Sequence, residues 1–123
     1  MITLIGIRPG KPGDSPLTPT GGSTSSADRL RIICGMSVDE FLEAFPRRYN
    51  VSNGVSGDLG DRVAVLGREA WVALGLPRTT GFFGRVKRSG VTYILLPHPS
   101  GRSLLYNSPR VRARVKRELK RWP

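Results

Sequence analysis

The sequence predicts an α/β layered domain with a small, mostly parallel sheet of about four strands. Three observations predict it. Short β-rich runs alternate with stretches of helical spacing, and such alternation builds a sheet whose connecting helices return across its faces. The runs Val63–Leu66 and Val91–Leu96 are almost wholly apolar, as short buried strands are. Finally, 123 residues can bury one core but hardly two, so a single domain is expected over residues 1–123.

The elements follow in order. Ile2–Ile7 reads as a buried strand that stops at Gly6-Ile7-Arg8-Pro9-Gly10, a proline-stiffened, exposed turn. Residues 11–26 then shift to Pro, Gly, Ser and Thr, a loop longer than the usual connection in a compact domain. Ser25 or Ser26 can cap a helix that places Leu30, Ile33 and Cys34 on one face, and Gly35 stops it. Ser37-Val38-Asp39-Glu40 fits a capping box, Phe41, Leu42 and Phe45 continue at helical spacing, and Pro46 closes the helix. Arg47–Asp61, with Asn50, Asn53 and three glycines but no period, reads as irregular connection.

Val63–Leu66 is the next strand, ended by Gly67, and Ala70, Trp71, Ala73 and Leu74 continue as a helix to Gly75 and Pro77. Phe82–Leu96 holds two β-rich runs about a hairpin turn at Lys87-Arg88-Ser89-Gly90. Its second strand feeds into Pro97-His98-Pro99-Ser100-Gly101. Ser108 is an N-cap with Pro109 at the first helical position, and Val111, Val115 and Leu119 form the narrow apolar stripe of a helix over 109–121.

Charge speaks to function. Twenty Lys and Arg against nine Asp and Glu leave +11, which makes a polyanion the leading class of partner. The last helix concentrates it: Arg110, Arg112, Arg114, Lys116, Arg117, Lys120 and Arg121 face one acid, Glu118. Arginine outnumbers lysine sixteen to four, which suits bidentate phosphate contacts. The expected partner is DNA, duplex or single-stranded, bound by a monomer.

Other classes are set aside. No apolar run approaches the length needed to cross a bilayer, and the N-terminus has neither a basic leader nor a cleavage site, so a cytoplasmic protein is expected. Cys34 and His98 are each the only residue of their kind, which rules out an intramolecular disulfide and the ordinary His/Cys zinc sets. No metal and no cofactor is expected.

The strand ends carry a resemblance. Gly6-Ile7-Arg8-Pro9-Gly10 and Leu96-Pro97-His98-Pro99-Ser100-Gly101-Arg102-Ser103 resemble the two signature motifs of the uracil-DNA glycosylase superfamily, nearest to its mismatch-specific branch. The resemblance implies a three-layer α/β/α sandwich and an enzyme that binds DNA, pulls one nucleotide from the stack and hydrolyses its N-glycosidic bond. It places His98 as the residue that hydrogen-bonds the pyrimidine O2 as negative charge builds there. It sets Gly6, Arg8, Pro9, Gly10 and Asn50 around the base, with the Asn50 amide reading its edge. Ser100 and Gly101 would hold a phosphate, and Arg102, where the family often has an intercalating leucine, would fill or flank the gap left by the flipped base. Arg110, Arg112, Arg114, Lys116, Arg117 and Lys120 are the expected DNA contacts of the last helix.

Arg8 departs from the pattern. The family usually places Asp, Asn or Glu there to orient water, whereas a guanidinium stays protonated and cannot be a general base. Asp14 is a candidate replacement carboxylate. Two alternatives therefore stand beside the glycosylase: a non-catalytic DNA-binding or regulatory protein, and an enzyme of this fold acting on a modified base or nucleotide. In each case Arg8 and His98 should open into one cleft, because parallel strands deliver their carboxyl ends to one edge.

Overall fold

The apolar runs pair into one sheet. In the computed structural model, which describes residues 2–6, 17–23, 25–51, 59–99 and 104–121, β1 (Ile2–Gly6), β2 (Arg48–Asn50), β3 (Arg62–Leu66), β4 (Arg85–Arg88) and β5 (Val91–Leu96) lie in the order β2-β1-β3-β5-β4. Every neighbouring pair is parallel except β4–β5. Successive strand residues point to opposite faces, so the sheet buries an apolar cluster on each of its sides. Ile2, Leu4, Ala64, Leu66, Ile94 and Leu96 pack with α1 (Ser26–Cys34), α2 (Val38–Ala44) and α4 (Pro109–Arg121). Ile5, Val63, Val65, Tyr93 and Leu95 pack on the other side against Ala70 and Trp71 of α3 (Arg68–Ala73). These are the three layers of an α/β/α sandwich.

Helix ends follow local chemistry. Ser25 caps α1 by accepting from the Asp28 N–H at 3.1 Å, and Gly35, at φ +68°, closes it in the left-handed conformation that glycine adopts without strain. The Ser37–Glu40 capping box is reciprocal, at 2.9 and 3.1 Å. α4 begins at Pro109 and buries Val115 and Leu119.

Three expectations need correction. The sheet has five strands, not about four, because Arg48–Asn50, inside the stretch read as irregular, is a strand. Three residues are too few for a period; pairing with Leu4, Ile5 and Gly6 makes them one. Lys87 and Arg88 are strand residues paired with Thr92 and Val91, and the turn is only Ser89-Gly90, both with positive φ (53° and 80°) as a type I′ hairpin requires. The loop drawn over 11–26 ends one residue sooner, since Ser26 is already helical; its residues 11–16 and 24 lie outside the described residues, as does Ile7.

Asp28 fastens the end of that loop to α1. Its buried carboxylate accepts from the Thr20 N–H (3.0 Å) and hydroxyl (2.6 Å), the Gly21 N–H (3.1 Å), the Ser25 hydroxyl (2.8 Å) and Arg31 Nε (3.2 Å). Burial pushes this carboxyl up, but the hydrogen bonds from Thr20, Ser25 and Gly21 outweigh it and hold the group well below its ordinary value of 3.8. A depressed carboxyl contributes stability that is complete above its unfolded value and lost as the pH falls through that value toward the folded one. Urea melts should therefore show a midpoint that drops as the pH falls below about 4. In Asp28→Asn the midpoint should be lower at pH 7, by about 1.5–3 kcal/mol in stability, and the acid limb shallower. An unchanged acid limb in the variant would refute the assignment.

Candidate functional site

Parallel strands deliver their ends to one edge, and here that edge holds Gly6, Asn50, Gly67 and the Pro97-His98-Pro99 turn. The chain leaves β1 for β2 on one side and later takes β3 on the other. β1/β3 is thus the switch point, where open α/β sheets form a crevice beyond the strand ends.

On the β2 side, Asn50 lies opposite Gly6 on the face that packs toward α1. It is 1% exposed, and neither atom of its carboxamide has a hydrogen-bond partner among the described residues. The fit around it is close: a Cβ on Gly6 would stand 3.0 Å from Asn50 Oδ1 and 3.5 and 3.6 Å from the Leu17 methyls. An unmade buried amide costs about 1–3 kcal/mol, so a group that both donates and accepts is the natural complement of this side chain. A pyrimidine edge has that character.

On the β5 side, Gly67 holds His98. Gly67 has φ +96°, bonds through its N–H to Leu96 O at 2.8 Å, and a Cβ there would meet His98 Cβ at 3.0 Å and Cδ2 at 3.4 Å. No L side chain fits that backbone and that space together. Burial holds the imidazole below its ordinary pKa of 6.5, with the Glu69 charge in the first turn of α3 pulling the other way. At neutral pH the ring is uncharged, with one N–H to donate. The turn itself is braced: Pro97 and Pro99 are buried, and the Tyr106 hydroxyl donates to Pro97 O at 2.6 Å. Burial, then nearby Cys34, raises the Tyr106 pKa, so it remains a phenol. Tyr106 belongs to a 3-10 turn, Leu104–Asn107, ahead of α4. Three strand spacings separate β2 from β5, so the strands that carry Asn50 and lead into His98 stand about 14 Å apart along this edge.

Gly6, Asn50 and His98 therefore share the expected edge. Arg8, Pro9, Gly10, Asp14, Ser100, Gly101 and Arg102 lie outside the described residues, and with them the expected meeting of Arg8 and His98. Composition alone pointed to neither Gly67 as the seat of the histidine ring nor Tyr106 as its brace; a glycine directly at a strand-to-helix turn was the available signal for the first.

On α4, Arg110, Arg112, Lys116, Arg117 and Lys120 are exposed, as phosphate contacts must be. Arg114 differs: its Nε donates to Glu118 Oε1 at 2.8 Å, Arg85 takes the other carboxylate oxygen at 2.5 Å, and the Arg114 guanidinium lies 4.8 Å from the centre of the Phe83 ring. Arg112 donates to Tyr106 O at 2.6 Å and so fixes the approach to the helix. Lys116 stands over the end of α1, 3.9 Å from where a Gly35 Cβ would be. Burial pushes the nearby Cys34 thiol up to about 11, while Lys120 and Lys116 pull it back.

Among the described residues, no helix is long and apolar enough to cross a membrane, and no three His, Cys, Asp or Glu side chains gather as a metal site. Comparison with family models, curated proteins and solved structures found no match to this chain.

Proposed function

We propose that this chain binds DNA, flips a nucleotide out of the stack, and hydrolyses the N-glycosidic bond of uracil or a modified pyrimidine, as the uracil-DNA glycosylases do. One observation supports the reading: Asn50, a buried carboxamide without a hydrogen-bond partner among the described residues, lies at the carboxyl edge of a parallel sheet that also carries an uncharged histidine. The Asn50 amide complements the edge of the base. The C1′–N1 bond breaks with its electron pair leaving on the pyrimidine, and the charge that appears at O2 is met by the His98 N–H. Water adds to C1′, and the proton it loses passes through solvent to the pyrimidine anion, giving the neutral base and an abasic sugar. Arg8 cannot take that proton, but its charge would stabilise the departing anion.

The test is incubation with oligonucleotides carrying uracil, mismatched and modified pyrimidines, scored for alkali-labile abasic sites. Abasic sites on one of them support the reading. Their absence from all of them gives precedence to the non-catalytic DNA-binding protein, which Arg8 itself favours. Release of a free base from a nucleotide alone would instead select the third alternative, an enzyme of this fold acting on small substrates.

Binding has its own signature. Each phosphate neutralised on duplex DNA adds about −0.9 to the slope of log K against log salt. Replacing Arg110, Lys116 and Arg117 by Gln should flatten the slope by about 2–3 and weaken all sequences alike. Arg114→Gln should leave the slope almost unchanged and lower the melting temperature instead, because Arg114 is occupied by Glu118 and Phe83. Affinity independent of salt in the native chain would end the nucleic-acid reading.

A further inference from the structure

The loop between α3 and β4 reaches the same edge of the sheet and presents an aromatic ring there. Gly81-Phe82-Phe83-Gly84 is a tight turn closed by Gly84 N–H to Gly81 O at 2.9 Å. A Cβ on Gly84 would stand 2.6 Å from Thr80 Cγ2 and 2.8 Å from Gly81 O, so only glycine fits. Two backbone bonds fasten the turn to the carboxyl end of β5: Phe83 N–H to Leu95 O at 2.6 Å and Leu95 N–H to Gly84 O at 3.0 Å. Phe83 has φ +68°, a left-handed conformation that an L residue holds at a cost of about 1–3 kcal/mol, a cost that collects at functional sites.

That backbone sends consecutive phenylalanines opposite ways. Phe83 joins the core on the α4 side. Phe82 stays 38% exposed, and among the described residues only Ile32 is another large apolar side chain so exposed. The guanidinium of Arg68 lies 5.3 Å from the centre of the Phe82 ring and is pinned by a 2.8 Å bond to Arg78 O. Arg68 directly follows Gly67, the residue on which His98 rests. The exposed ring is therefore tied, through two adjacent residues, to the histidine end of the site.

We propose that Phe82, backed by Arg68, is a stacking platform for an unpaired nucleic-acid base adjoining the strand-end site. The inference rests on the nucleic-acid half of the proposed function and not on base excision. A π face beside a fixed cation, on a chain of net charge +11, is the combination that holds single-stranded nucleic acid. A protein partner would call for an apolar patch, whereas Phe82 stands beside exposed Arg78, Thr79 and Gly81.

The test is fluorescence anisotropy of the full chain with a labelled oligothymidine and with an oligomer of equal length built from abasic residues. The native chain should bind the thymidine oligomer more tightly. Phe82→Ala should weaken that binding by about 5- to 150-fold, leaving the abasic oligomer and the salt slope unchanged, and Phe82→Trp should restore it. Equal binding of oligothymidine by Phe82→Ala and the native chain overturns the platform while the nucleic-acid reading stands. Equal loss on both oligomers also overturns it, by making Phe82 a structural residue. No binding of either oligomer by the native chain overturns the platform, and no binding of duplex DNA as well overturns the nucleic-acid reading with it. Abasic-site formation is scored separately, so failure of catalysis leaves the platform intact.

Discussion

Asn50→Leu is expected to melt higher than the native chain while losing activity on every pyrimidine substrate. Leucine nearly matches asparagine in shape but has no polar atoms, so the substitution removes an amide that is buried and has no partner among the described residues. Relieving that penalty is worth about 1–3 kcal/mol. For a chain of 123 residues this translates into a rise of about 4–12 °C in Tm, from an unfolding entropy near 2.1 cal/mol/K per residue. Without the amide the base edge has nothing to pair with, and turnover should fall by about a hundredfold or more. A stability gain coupled to a functional loss is what a residue kept for its ligand produces. Calorimetry and the abasic-site assay read the two effects independently. A lower Tm with activity retained would make Asn50 a structural residue and remove the observation on which the proposed function stands.

What the sequence disclosed and what it concealed divide along the range of the interactions involved. The capping box at Ser37, the Ser25 cap, the Gly35 stop and the Pro109 start are signals written within four residues of chain, and each lies where it was expected. Strand β2 was invisible because its cause is distant: Arg48–Asn50 extend only by pairing with Leu4–Gly6. Arg114 ion-pairs Glu118 one turn along its own helix, whereas Phe83, whose ring it covers, and Arg85, which shares Glu118, come from the segment around β4 and leave no local signal. Phe82 read as the first residue of a β-rich run, whereas the left-handed Phe83 turns it outward before the strand begins. Asn50 and His98 were singled out through the resemblance carried by the strand-end motifs, since a turn asparagine and a surface histidine are the ordinary readings of each alone. That Asn50 is buried with no partner among the described residues, and that His98 rests on Gly67, are facts of packing that no local pattern encodes.

Gly67 and His98 should act as one unit, and their substitutions should not add. On the proposed mechanism His98→Ala removes the N–H that meets charge on the leaving base, which should lower single-turnover rates by about a hundred- to a thousandfold with DNA affinity nearly unchanged. Gly67→Ala should lower the rate comparably by another route. Its new methyl would lie 3.0 Å from His98 Cβ on a backbone at φ +96°, so the turn must shift and carry the imidazole with it. In the double variant the second change should cost almost nothing further in rate, since residues acting through one group are strongly non-additive. The pH profile separates displacement from simple unfolding. On the proposed mechanism the uncharged ring is the native donor, and burial keeps its pKa below 6.5, so the acid limb of the native rate should lie on the acid side of 6.5. A ring pushed toward solvent regains a more ordinary pKa, which moves the acid limb of Gly67→Ala upward. A Gly67→Ala enzyme with the native rate and native acid limb would show that the ring's seat is immaterial. Loss of DNA binding in His98→Ala would turn His98 from a catalytic residue into a contact.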